Sequence, residues 1–303
     1  MTERLSSWYD TPTRQAILEF VAAVTDAGSP HYVPPADRIA TFDNDGTLWC
    51  ERPTYIQLLF AIERLKEMAR ADAALLDKPA FQAAVEDDLA YFGGLYPDNV
   101  PALVQIIFDT HAGMIQAEFE AQALAFLSEH KHPRYGLPFK QLTYKPMVEL
   151  LRYLEANGFN VYIISAGGMS FVRTVTEEIY GIPRERVIGS NVTFELQMTD
   201  TGPVLYRKPG LVEPMDDGPG KPVNIELHIG RKPILAGGNA DGDIEMLWYS
   251  ETGGPKSLQL VLHHDDAERE YAYEGASAKR VFPLARERGW TVISMKNDWR
   301  EVF

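Results

Sequence analysis

The chain has 303 residues, 45% apolar and 24% charged, enough for one large domain or for a core carrying a second domain, and its composition is that of an ordered protein. A formal net charge of -14 repels polyanions, which argues against nucleic acid and anionic membrane as partners and requires any anionic substrate to meet a locally positive pocket. The single cysteine, Cys50, excludes an intrachain disulfide and a thiolate metal cluster, so a bound metal would have oxygen ligands. The opening Met-Thr-Glu-Arg-Leu-Ser-Ser-Trp lacks an apolar stretch of signal length, and no run approaches the roughly 18 residues needed to span a bilayer. A cytoplasmic monomer or homodimer is the expectation.

Pro12 follows a capping residue, Asp10 or Thr11, and Ile17, Leu18, Val21 and Val24 recur at helical spacing, which predicts a helix to about Asp26. The short apolar run Arg38-Ile-Ala-Thr-Phe42 breaks into the polar Asp43-Asn-Asp-Gly-Thr47, the pattern of a buried strand delivering a loop. From Thr54 to His132 no strand pattern appears. Ile56, Leu59, Ile62, Leu65 and Met68, and later Ile115, Phe119, Ala123 and Phe126, are helically spaced instead, so residues 54–145 read as a separate helical domain. The remainder, 1–53 and 146–303, reads as an α/β core.

In that core a helix through Val148, Leu151 and Leu154 ends at Gly158, a strand follows from Phe159 to Ile164, and a helix resumes near Phe171. Val187 to Lys208, with Thr201-Gly202-Pro203 inside it, predicts a hairpin projecting from the sheet. Further strands are predicted at Pro233 to Ala236, Leu258 to Leu262 and Thr291 to Met295, completing a doubly wound, largely parallel, Rossmann-like sheet.

Ligands of such sheets sit beyond the carboxyl ends of the strands. Four polar clusters follow apolar strand runs: Asp43 with Asp45, Ser165 with Gly167 and Gly168, Asn239 with Asp241 and Asp243, and His263-His264-Asp265-Asp266. Carboxylates in two clusters and a glycine-rich helix entry in a third fit an oxygen-liganded cation beside an anion cradle, that is, magnesium with phosphate. A calcium loop would need Gly at the sixth position from Asp43 and Glu at the twelfth, where Leu48 and Thr54 stand.

Phe-Asp43-Asn-Asp45-Gly-Thr47 resembles the first motif, Asp-x-Asp-x-Thr, of the haloacid dehalogenase superfamily of phosphatases. Ile163-Ile-Ser165-Ala166-Gly167-Gly168 is similar to the second motif. Gly220-Lys221-Pro222, about seventeen residues before Gly238, is similar to the third, with Lys208 as a rival. Gly238-Asn239-Ala-Asp241-Gly-Asp243 resembles the fourth, with Asn239 where an aspartate usually stands. The helical insertion after the first motif is similar to the cap of the phosphoserine phosphatase-like branch.

The resemblance implies a magnesium-dependent phosphomonoester hydrolase acting on a small phosphorylated metabolite. Asp43 would attack phosphorus to form an aspartyl-phosphate, and Asp45 would act as acid and then base. Ser165, Ala166, Gly167 and Lys221 would hold the phosphoryl group. Mg2+ would be held by Asp43, the Asp45 carbonyl and Asp243, with Asn239 and Asp241 behind them. A phosphotransferase or mutase of the same superfamily, and a catalytically silent phosphate-binding module, are the alternatives. Glu51 and Arg52 stand near the place where that branch carries a substrate-ammonium contact, and nothing marks Lys66 or Lys78 as a Schiff-base lysine. For the His263-His264 run a transition-metal role competes with capping by Asp265 or Asp266 of a helix at Ala267.

Overall fold

Four consecutive buried residues, Ile39 to Phe42, form strand β1, and such a run needs a sheet position covered on both faces. The computed structural model, which describes residues 5–95, 99–251, 256–273 and 276–303, places β1 at the centre of a seven-stranded sheet. With β2 (Asn160–Gly168), β3 (Val187–Thr199), β4 (Gly202–Val212), β5 (Leu235–Gly238), β6 (Leu258–His263) and β7 (Thr291–Ser294), the order is β4-β3-β2-β1-β5-β6-β7. β1 pairs in parallel with β2, Phe42 facing Ile163, and with β5, Phe42 facing Gly237; β5–β6 and β6–β7 are parallel too, and only the β3–β4 hairpin is antiparallel among the registered pairs. The chain builds away from β1 on one side and returns to build on the other, so the order reverses between β1 and β5. That reversal opens a crevice at the carboxyl ends of these two strands.

The expected α/β sheet is present, with shifted limits. β2 runs to Gly168 rather than stopping at Ile164, so Ser165, Ala166 and Gly167 lie in the strand. The helix expected near Phe171 is two four-residue pieces. β5 begins at Leu235 instead of Pro233, and β7 stops at Ser294. In the first helix, α1 (Pro12–Thr25), the cap is Thr11, whose side chain accepts from the Arg14 amide.

The chain divides into two compact units: 1–50, 140–189 and 214–303 form the sheet unit, and 51–139 with 190–213 form the other. The core of the sheet unit packs Ile164, Ile188, Ile225, Ala236, Ile244, Leu247, Val261 and Trp290 around β5 and β6. Among its described residues the second unit holds five α-helices: α2 (Ile56–Ala71), α3 (Pro79–Val85), α4 (Leu89–Gly93), α5 (Val100–Asp109) and α6 (Gln116–Glu129). Leu58, Ile62 and Leu65 of α2 pack there with Phe81, Phe92 and Leu103. The division departs from the expected one at the hairpin, which the sequence left with the core. Residues 190–213 cluster with the helices because Arg207 exchanges backbone hydrogen bonds with Gly113 and Met114, donates to Gln116 Oε1 at 2.9 Å and lies 3.7 Å over the Phe119 ring.

Candidate active site

The loop after β1 is a tight turn. The Asp43 amide donates to the Gly237 carbonyl at 2.9 Å, extending the ladder by one bond, and the Asn44 carbonyl then accepts from Thr47, Leu48 and Trp49. Gly46 closes the turn with its amide on the Trp49 carbonyl and has φ +75°, a conformation side chains other than glycine's resist. Asp43 is thereby fixed, and buried, at the end of β1, with the residue 7% exposed. The Trp49 indole N–H holds Asp45 Oδ1 at 2.8 Å, and Tyr180 Oη donates to Asn44 Oδ1 at 3.0 Å. Thr47 Oγ1 stands 3.1 Å from both Asp43 Oδ2 and Asn239 Oδ1, and its one proton serves one acceptor at a time.

Lys221 is the second residue of α10 (Gly220–His228), which follows α7 (Lys145–Ala156) and the short helices α8 (Met169–Val172) and α9 (Thr176–Ile179) in the chain. Its neighbour Gly220 is required by packing, since a Cβ there would lie 1.8 Å from the Met215 carbonyl oxygen. The Lys221 ammonium, 1% exposed, donates to Asp43 Oδ1 at 2.7 Å, Asp243 Oδ1 at 2.7 Å and the Ile164 carbonyl at 3.1 Å, using all three protons. Asp243 Oδ2 accepts from the Asn239 and Ala240 amides, which aims this carboxylate inward.

Electrostatics bind the group together. Burial, then the charge of Asp243, pushes the Asp43 carboxyl well above the usual carboxylate range, against the pull of Lys221. Burial also raises Asp45. Burial alone would lower Lys221, but the surrounding charges of Asp243, Asp43 and Asp216 more than reverse it and hold the ammonium charged. Asp216, fully buried, accepts from Asn224 Nδ2 at 3.0 Å and from the Ser165 backbone; burial raises it to about 6, with Lys221 opposing. Four carboxylates, Asp43, Asp45, Asp216 and Asp243, therefore share one ammonium.

Among the described residues no three His, Cys, Asp or Glu side chains converge as a ready metal-ligand set. Asp43 and Asp243 are joined through Lys221, and the Asp45 carboxylate turns to Trp49. The donor set still fits a small hard cation. Magnesium is usually held by one or two carboxylates plus water and substrate oxygens. The oxygen donors suited to it are Asp43, Asp243 and the Asp45 carbonyl, in a pocket with excess negative charge.

The other residues singled out by the sequence lie in varied places. Ser165 is buried with its hydroxyl accepting from the Gly167 amide at 3.1 Å, and Ala166 and Gly167 are half-buried. Asn239 meets Thr47. Asp241 points away from this cluster and accepts from the Arg280 and Val281 amides, both at 2.8 Å, at the start of α12 (Val281–Arg288), which follows α11 (Ile244–Ser250). Lys208 pairs with Glu195 on the exposed hairpin, and Lys66 pairs with Glu63 and Asp87 in the helical unit. No helix starts at Ala267; Asp266 caps a turn through the Glu268 and Arg269 amides, and Asp265 binds Ser294 and the Lys296 amide. His263 lies against Phe282. Sequence reasoning missed Tyr180, Asp216 and the fixing role of Trp49. Only Trp49, four residues from Asp45, carried a local signal.

The sequence profile of haloacid dehalogenase-like hydrolases matches residues 40–247 of the chain. No curated protein sequence matches it. Among solved structures, a conserved functionally unknown protein from Anaerococcus prevotii is similar with a TM-score of 0.60 at 16% identity, over 97% of this chain and 94% of that one. A protein with unknown function from Bordetella pertussis gives 0.52 at 17% identity, over 84% and 97%. A phosphoserine phosphohydrolase-like protein from Francisella tularensis gives 0.45 at 16% identity, over 84% and 94%. At these identities the likeness to solved structures is one of fold.

Proposed function

Because the chain belongs to the family of haloacid dehalogenase-like hydrolases, we propose that its reaction is the hydrolysis of a small phosphomonoester through an aspartyl-phosphate on Asp43. The observation that carries this reading is the buried triad in which Lys221 joins Asp43 at the end of β1 to Asp243 after β5. A carboxylate can approach a phosphate only where the charge of both is offset, and Lys221 supplies that offset from a position excluded from water.

In the first step an Asp43 carboxylate oxygen forms a bond to phosphorus as the bond from phosphorus to the ester oxygen breaks, and protonated Asp45 gives its proton to the leaving alcohol. Burial, which raises the Asp45 carboxyl, favours the protonated form this step needs. In the second step the Asp45 carboxylate takes a proton from a water that attacks phosphorus, and the bond to Asp43 breaks to restore the carboxylate and release phosphate. Lys221, whose three protons lie on Asp43, Asp243 and the Ile164 carbonyl, is assigned to offset phosphoryl charge, and the Ser165 hydroxyl, oriented by the Gly167 amide, is assigned as a donor to a phosphoryl oxygen. Mg2+, held by Asp43, Asp243 and the Asp45 carbonyl, would supply further neutralisation of phosphoryl charge. We assign substrate selection to the helical unit, which leaves the core at residue 51, directly after the nucleophile loop.

The test is phosphate release from p-nitrophenyl phosphate and a panel of small phosphomonoesters, with Mg2+ and with chelator, for the native chain and Asp43→Asn. Turnover that needs Mg2+ and falls by at least about a thousandfold in the variant is expected. Activity unchanged by the substitution would overturn the reading, and phosphate passed to an added alcohol rather than to water would move it to a transferase.

A further inference from the structure

His264 and Glu270 lie outside the residues assigned to the reaction, yet they form a buried hydrogen-bonded pair against the nucleophile loop. Glu270 is fully buried and His264 is 3% exposed. Glu270 Oε1 accepts from Cys50 Sγ at 3.1 Å and from Tyr144 Oη at 3.1 Å, and Oε2 accepts from the Tyr271 amide at 2.6 Å and from His264 Nδ1 at 3.2 Å. On its other edge the His264 ring donates from Nε2 to the Gly46 carbonyl at 2.7 Å. Both ring nitrogens thus face acceptors, a carboxylate and a backbone carbonyl. Against burial, which opposes it, the hydrogen bonds from His264, Cys50 and Tyr271 and the His264 charge hold Glu270 below the usual carboxylate range.

The placement of these partners is specific. Gly46 is the residue whose positive φ turns the chain between Asp45 and Thr47, and Cys50 ends the same loop. The Tyr144 amide donates to the Leu48 carbonyl, and the Cys50 amide donates to the Leu142 carbonyl. Glu270 therefore gathers donors from the loop's exit and from the segment that pairs with it, while His264 grips its turn. Tyr273 stacks on the His264 ring at 4.4 Å and fixes its plane. A buried polar pair is a weak source of net stability, because desolvating its members offsets most of their attraction. Its use here is to impose one geometry.

We infer that His264, held by Glu270, is a positioning group that locks the Gly46 carbonyl and so sets where the carboxylates of Asp43 and Asp45 stand. The kinetic consequence rests on the phosphatase reading above; the clamp itself does not.

Two measurements separate them. The first is hydrogen exchange of peptides covering residues 43–50 in the native chain and in His264→Phe, which keeps the stacked ring and removes both hydrogen bonds. Exchange of the loop amides is expected to rise at least about tenfold in the variant while peptides of β2 stay unchanged. The second is steady-state kinetics on p-nitrophenyl phosphate. His264→Phe is expected to lower kcat at least about tenfold with KM within about threefold, because misplacement of the reacting groups costs rate more than binding. His264→Gln, which keeps one donor for Gly46, should recover part of the loss, and His263→Ala should match the native chain. Unchanged loop exchange overturns the inference whatever the kinetics, and raised exchange with unchanged kcat overturns the positioning role. If the native chain hydrolyses no ester, the phosphatase reading fails while the exchange result still decides the clamp. Should His264→Phe not fold, His264→Gln and Glu270→Gln carry both comparisons.

Discussion

Asp216 shows how single residues adjust the charge of this site. It is buried beside Lys221 with its carboxyl raised to about 6 from an ordinary 3.8, so the folded protein keeps this proton over a range of pH in which the unfolded chain has lost it. A raised carboxyl stabilises the folded state at low pH, and that contribution disappears as pH climbs through the folded value. The difference in thermal midpoint between the native chain and Asp216→Asn is therefore expected to move against the native chain from about pH 4 to about pH 7. A difference that stays flat, or moves the other way, would contradict the environment described for Asp216. Residues of this kind were not legible in the sequence. Asp216 lies in an acidic stretch, Met215-Asp-Asp-Gly218, where nothing separates a buried carboxylate from a solvated one, and Tyr180 is 136 positions from the Asn44 it contacts.

At the scale of elements, two strand ends and one helix start deliver the triad, and glycines set how closely they approach. β5 ends in Gly237-Gly238. A Cβ on Gly238 would lie 2.5 Å from Asp243 Cβ and Cγ, and one on Gly237 would lie 2.6 Å from Phe42 Cδ1. Gly238→Ala should thus push Asp243 from Lys221. The expected cost is about 1–3 kcal/mol in denaturant unfolding, with a loss of turnover on the order of a hundredfold. Native turnover in that variant would show that the Asp243 position is not needed. These elements were readable because each carries its chemistry in a contiguous run. An apolar strand broken by Asp43-Asn-Asp45 and another broken by Asn239-Ala-Asp241 are visible without any long-range information. Element limits were less readable. Ser165-Ala-Gly-Gly168 has the composition of a turn, and only pairing within the sheet keeps it in β2.

Across the whole molecule, the sheet order follows from the alternation of short apolar strands with helices, and the reversal between β1 and β5 accounts for the place of the site. The hairpin's membership did not follow. Its strands read as sheet, and its attachment to the helical unit depends on Arg207 lying over Phe119 and bonding Gln116, contacts 88 and 91 positions apart in the chain. The locally positive pocket expected from the net charge of -14 is not what the structure places at the site: Lys221 is a single buried ammonium among Asp43, Asp45, Asp216 and Asp243, so an anionic ester there needs the further positive charge of a cation.

The central claim is that Asp43 becomes covalently attached to phosphorus, and an acyl phosphate can be trapped. Borohydride added during turnover of p-nitrophenyl phosphate should reduce the phosphorylated carboxyl to an alcohol, and peptide mass spectrometry should find homoserine at position 43. Homoserine at 43, absent without substrate, is the expected result. Turnover with no reduction product at 43, or with one at another carboxylate, would contradict the account.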